Sequence, residues 1–279
     1  MTQSANRRAP GVIYAALRVF DLSLGEMLWS RRTIFMALIV GLPVMLSVVI
    51  RVLLELGASN IRVNQTAVAG PTIFGLMIWG FFVRFTVPVL GVFYGTSLIA
   101  DEVDDKTITY LFTRPIPRGA VVLGKYLAYM ACATFVVLPS VLLVWLLIVP
   151  AGGSLGASFL DLLKDLLLIA IGLAVYGAVF SWVGAVFKRP LLFGLMFVFG
   201  WEVLVMALPG YMKRFSVAYY LQGLVPHAMP NDSAVSLVLS IFRETPPLAE
   251  SLLMMALIEV AFLYLAARAV SKKEYVLEQ

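Results

Sequence analysis

The chain has 279 residues, of which 61% are apolar and only 13% are charged, with a mean hydropathy of +0.95; soluble domains run near half apolar and a quarter charged. Five to seven membrane spans of about 20 residues take roughly 100 to 150 residues, which leaves too little for a separate catalytic domain of ordinary size. One cysteine, Cys132, and one histidine, His227, exclude an internal disulfide and a multi-histidine metal site, and a net charge of +5 fits basic residues flanking spans better than nucleic-acid binding. The expectation is one all-α polytopic membrane domain over 1–279.

Residues 1–32 form a basic N-terminal region with Arg7, Arg8, Arg18, Arg31 and Arg32. No short apolar region with a small-residue cleavage site precedes the first long apolar run, so no cleaved signal peptide is expected. Between Val12 and Leu28, the residues Ile13, Leu17, Phe20, Leu24 and Leu28 recur at three or four, while Arg18, Asp21 and Glu26 lie off that stripe. This predicts an amphipathic helix lying flat at the cytoplasmic interface; the alternative is a helix packed against neighbouring loops.

Apolar runs follow at Thr33 to Val52, Thr72 to Ala100, Gly119 to Val149, Leu162 to Phe187, Leu191 to Leu208 and Leu248 to Val270, which predicts six transmembrane helices. Pro43, Pro88 and Pro139 fall inside runs, where neighbouring helices can satisfy the freed carbonyls. With both termini inside, fourteen of the 21 Lys and Arg fall on the cytoplasmic side and six outside, with Arg84 within a span, as the positive-inside rule expects. The outer connection 209–250 contains two short apolar patches, Tyr219 to Val225 and Val235 to Phe242, read as interfacial or re-entrant helices. His227 within it reads as an ordinary surface residue.

Gly119 to Lys125 spells GAVVLGK, the first seven positions of a phosphate-binding loop, but Tyr126 stands where Ser or Thr must hold magnesium. Its residues also open a membrane span rather than joining a strand to a helix. The chain is therefore expected to bind no ATP, metal or other cofactor itself, and no hydrolase or kinase residue set is present.

The segment 101–118 is the most informative. Asp101, Glu102, Asp104 and Asp105 precede Thr107, Ile108, Leu111 and Phe112, and Pro115 follows. Acids in a first turn favour the positive helix N-terminus, and Pro stops the helix, so a short amphipathic cytoplasmic helix is predicted over Asp101 to Arg114. Its apolar face requires a burial partner. The acidic cluster lacks the glycine turn of an EF-hand and reads as solvated charge.

This pattern resembles the permease subunits of type-2 ATP-binding cassette (ABC) transporters, where a long second span leads to an acid, a Thr, a Leu-rich turn, a Pro, an Arg and then Gly-Lys opening the third span. The matching residues are Glu102, Thr107, Leu111, Pro115, Arg118, Gly124 and Lys125. Six spans, a basic interfacial helix and a large connection before the last span extend the likeness along nearly the whole chain. Lys106 stands where Gly commonly precedes the Thr, and Pro117 where Ser commonly precedes the Arg.

The resemblance implies an inner-membrane permease with no catalytic site. Its 101–114 helix would dock on a separate ABC ATPase, present in two copies, that holds ATP and magnesium. It also implies a second permease chain, identical or paralogous, a surround of membrane lipid, and export as the commoner direction. The flat N-terminal helix would add a second contact to the ATPase.

Three ionisable residues fall deep in predicted spans, Arg84, Glu202 and Glu259. At about 1.5 Å per residue both glutamates lie roughly 16 Å from the inner face and Arg84 roughly 24 Å. A charge there costs at least ~2.5 kcal/mol unless paired or wetted, so Arg84 is expected to pair with a glutamate or to line a polar cavity with them. Gly91 and Gly95 allow close helix approach, within the chain more than at a dimer seam. Phe193, Met196 and Phe199 read as packing or lipid-facing residues. Rival functions are a non-transporting membrane anchor for an ATPase and an ion-coupled carrier using Glu202 and Glu259.

Overall fold

Apolar runs of this length fold into helices because, inside a bilayer, each backbone N–H and C=O must find its partner within the segment. The computed structural model describes residues 12–29, 31–56, 62–63, 66–67, 70–104, 118–207, 211–225 and 246–272. Its helices are α1 (Val12–Leu28), α2 (Arg31–Glu55), α3 (70–104), α4 (Arg118–Ile148), α5 (Leu155–Val186), α6 (190–207), α7 (Val217–Gln222) and α8 (Leu248–Lys272). A two-residue ladder, Arg62–Val63 with Thr66–Ala67, lies between α2 and α3. Five helices are long and apolar enough to cross a membrane, and α6 is a shorter apolar sixth. The all-α polytopic class holds.

The bundle is built around α5. Every residue from Gly172 to Ser181 is buried, whichever way it points, which is the mark of a helix enclosed by others. α3, α4, α6 and α8 all pack on it. Small residues let them approach. A Cβ on Gly91 would lie 2.6 Å from the Tyr176 Cβ, and one on Gly95 2.7 Å from the Phe180 Cβ. The glycine pair thus closes α3 onto α5 within the chain, as expected.

Two helices depart from the sequence-based bounds. α5 begins at Leu155 rather than Leu162, because Asp161 and Lys164 pair at 3.1 Å on one helical face and the charges do not end the helix. At the other end of α3, the expected new helix starting at Asp101 is corrected: Asp101, Glu102 and Asp104 continue α3 without a break, as far as the described residues reach.

α3 and α6 are wound unevenly. π-helical turns cover Ile78–Thr86, Gly91–Gly95 and Phe197–Glu202. Pro88, which has no N–H to donate, lies in the α turn between the first two. Such turns re-aim side chains and recur at functional positions; here they carry Arg84 and Glu202.

Candidate functional site

Three places carry the polar chemistry. The first is the end of the bundle from which 105–117 emerges. α1 packs along α4 here, and its buried face is Ala15, Ala16, Val19 and Ser23. The stripe read from the sequence lies off this face: Ile13 and Leu17 are 75% and 52% exposed. The helix instead uses small side chains inward, where Gly124 leaves room for the Ala16 carbonyl and for the Val19 Cβ, 2.7 Å from where a Gly124 Cβ would be. Arg18 donates to the Tyr14 hydroxyl at 2.9 Å and lies over its ring. The Gly119 to Lys125 near-motif is helical throughout, so its backbone N–H groups are spent within α4 and form no phosphate cradle.

Of the residues assigned to ATPase coupling, Asp101 ends the described part of this region and is itself engaged. Glu102, Asp104 and Arg118 are placed as helical backbone only, and Asp105, Thr107, Leu111, Phe112 and Pro115 lie outside the described residues. His227 and the 235–242 patch also lie outside them. Of the two patches in 209–250, the first is found, as α7 after a 3-10 turn at Tyr211–Phe215.

The second place is the bundle interior, where Glu202 and Glu259 each meet a different tyrosine. Glu202 is 3% exposed. The Tyr176 hydroxyl donates to its Oε2, the Val217 N–H donates to Oε1 at 3.2 Å, and the Ala218 N–H is a further donor. Val217 and Ala218 are the first two residues of α7, so the carboxylate of α6 caps α7 in place of a local residue. Ser216, at the N-cap, makes no side-chain cap hydrogen bond, and among the described residues its buried hydroxyl has no partner.

Glu259, half-buried on α8, accepts from the Tyr126 hydroxyl at 2.9 Å, and that hydroxyl also lies 3.0 Å from the Ala174 carbonyl. Tyr129 donates one residue away, to the Leu173 carbonyl at 2.9 Å. Tyr94 lies beside Tyr129 and meets Thr33 at 2.8 Å. Arg84 lies over the Trp79 ring at 5.5 Å and acts electrostatically on Glu202 and Tyr176. The structure therefore brings Arg84 toward one glutamate and leaves the other on a separate tyrosine. Sequence reasoning missed these phenols. A Tyr in mid-span, one end apolar and one end polar, was the available signal. Asp165, fully buried in α5, was missed although it falls inside the predicted run Leu162 to Phe187, because it stands only three residues from the start of that run, where charges read as lying at the span's end.

The third place is a cavity of ≈ 970 Å³ between α5, α6, the 211–220 region and α8. Neither Glu202 nor Glu259 lines it, so the polar cavity expected around them is not this one. Its walls are apolar, with Trp182, Phe187, Phe193 and Phe262 among them, and Arg214, Ser216 and Glu250 lie at the end near α7. Burial pushes the Tyr220 phenol up, with Glu250 adding to the shift and Arg214 opposing it, so both charges act at this end. Phe193 and Met196, read as plain packing residues, line the cavity.

Long apolar helices around a buried hub, with polar groups paired inside, define a multi-pass membrane protein. Residues 30–274 match the family described as ABC-2 family transporter protein, and the chain belongs to that family as the membrane component of an ABC transporter. No curated protein matches the chain.

Proposed function

We propose that this permease works with a separate ABC ATPase and couples to it through the 101–118 segment, with α1 as a second contact. The family match over 30–274 carries this reading. Geometry supports the choice of surface: α1 is fixed along α4 close to where 105–117 joins it, and Ile13, Tyr14, Leu17 and Leu22 of α1 remain exposed. Exposed apolar side chains beside an acidic segment suit a protein partner. ATP and magnesium belong to the ATPase, and binding there would move the coupling segments of two permease chains together and shift the helices between two open states. Both termini then face the cytoplasm, the membrane is the inner one, and substrate leaves the cell.

The test is purification of the native complex in mild detergent, with identification of the accompanying proteins and an ATPase assay. An ATPase that is retained by the native chain and lost on Glu102→Ala and Leu111→Ala supports the reading. Retention of the ATPase with no substrate movement in proteoliposomes would favour an anchor. Substrate movement on a proton gradient without any ATPase would favour an ion-coupled carrier.

A further inference from the structure

The cavity between α5, α6 and α8 has two chemically different ends. Its volume of ≈ 970 Å³ lies at the upper end of the range for small-molecule sites. From Glu250 to Phe262, both of which line it, α8 rises roughly 18 Å at about 1.5 Å per residue. That is close to the depth of one leaflet of a hydrocarbon core about 30 Å thick. Phe187 and Phe193 meet at 4.3 Å between ring centroids and narrow the far end.

At the near end, Arg214 is exposed and rests over Tyr211 at 5.2 Å. Among the described residues neither Arg214 nor Glu250 has an ion-pair partner, although both line the same cavity. The Ser216 hydroxyl, on the same lining, is 1% exposed and has no hydrogen-bond partner among the described residues. Its freedom has a cause: Glu202 already takes the α7 N–H groups that an N-cap serine ordinarily serves. A buried hydroxyl without a partner is costly, and a ligand atom would satisfy it.

We infer that this cavity binds one zwitterionic phospholipid with a primary ammonium, an ethanolamine phospholipid. Its phosphate sits at Arg214 and Ser216, its ammonium at Glu250, and an acyl chain lies along Trp182, Phe197 and Phe262. Charge complementarity selects this occupant. An anionic glycerol headgroup would satisfy Arg214 but leave Glu250 facing a glycerol, and a quaternary choline has no N–H to donate to the carboxylate. The apolar wall holds any acyl chain, so discrimination resides in the headgroup. Binding of this kind needs neither ATP nor the ATPase and stands apart from the coupling proposal.

The experiment is native mass spectrometry of the purified chain exchanged into detergent with equal amounts of dioleoyl phosphatidylethanolamine, phosphatidylcholine and phosphatidylglycerol. The ethanolamine lipid is expected to be retained about 5-fold over phosphatidylglycerol, since both lipids offer the phosphate to Arg214 and only the ammonium at Glu250 distinguishes them, and about 1 kcal/mol is a factor of about five. Glu250→Gln should remove the preference over choline, and Arg214→Gln should lower retention of all three lipids.

Gly200 lines the cavity, and a Cβ there meets only the Met196 Cγ at 3.8 Å. Gly200→Phe should therefore fill the groove and abolish retention while elution volume and Tm stay at native values. Equal retention of the three lipids overturns the inference, as does retention undiminished in a folded Gly200→Phe protein. A change of oligomeric state on Gly200→Phe, with lipid retention unaltered, would instead identify the groove as a seat for a second copy of the chain.

Discussion

Glu202 and Glu259 enter the bundle from different helices, α6 and α8, and each meets a tyrosine hydroxyl projected from a neighbouring helix. Their surroundings differ sharply. Glu202 is closed off and receives a phenol and two backbone N–H groups, whereas Glu259 is half-buried on a helix with little buried surface and has a phenol that is shared with Ala174. One carboxylate ties three elements, α5, α6 and α7, into one corner; the other has, among the described residues, one phenol donor, and that phenol is shared. An intramembrane acid is therefore not a single kind of feature. Its donors decide whether it is architecture or a group free to respond.

The largest effect should come from removing the corner. Glu202→Leu leaves the Tyr176 hydroxyl and two α7 N–H groups without acceptors in a dry interior, at about 3 kcal/mol or more. Little folded protein should survive extraction, as read by size-exclusion elution and Tm. Glu202→Gln keeps one carbonyl acceptor and should recover most of that loss; equal collapse of both variants would show that the corner needs the charge itself. Next in size is Gly91→Val. Its Cβ would fall on Tyr176, 2.6 Å from the Tyr176 Cβ, so α3 must retreat at a cost of about 1–3 kcal/mol. That displaces the phenol from Glu202 and should lower Tm, whereas the same substitution at Gly200, whose surroundings are open, should not.

Tyr176→Phe and Tyr126→Phe set the two sides directly against each other. Each removes one hydroxyl, and interhelical hydrogen bonds in membranes average near 0.6 kcal/mol, reaching about 1.7. Tyr176→Phe should fall at the upper figure because nothing replaces it on a sealed carboxylate. Tyr126→Phe should fall at or below the average, because Glu259 is only half-buried and the Tyr126 hydroxyl is already shared with the Ala174 carbonyl. Thermal unfolding in one detergent measures both, and equal losses would erase the distinction drawn here.

The helices were legible because lipid imposes so few options: long apolar runs fixed the number, and α1 occupies the residues its periodicity marked out, Val12–Leu28. The large apolar stripe of α1 marks the face that stays free of the bundle, with Ile13 and Leu17 on it. The face that packs was not legible, because helices approach closely through small residues, here Ala15, Ala16 and Val19 against Gly124. The acids from Asp101 onward misled in another way. Asp101 and Glu102 suit a helix start by dipole, yet the preceding Thr96–Ile99 turn is anchored against α5 and winds on through them. Depth along the spans placed Glu202 and Glu259 inside the bundle, the first buried and the second half-buried, but not their partners. Depth gives height in the membrane and says nothing of direction around the helix axis, so Tyr176 and Tyr126 could not be matched to them.

Glu259→Gln should have the smallest effect on stability and is the most informative about use. The amide oxygen still accepts from Tyr126, Glu259 is already half-exposed, and no backbone donor depends on it. Tm should stay within the ~0.5 kcal/mol range of a substitution away from any buried network. If the permease needs this acid only as packing, the ATPase rate of the assembled transporter will also be unchanged. A fall in that rate at unaltered Tm would show that the loosely held carboxylate serves the conformational cycle, since a merely structural residue cannot lose coupling without losing stability. A fall in Tm comparable to that of Glu202→Leu would place both glutamates in one class.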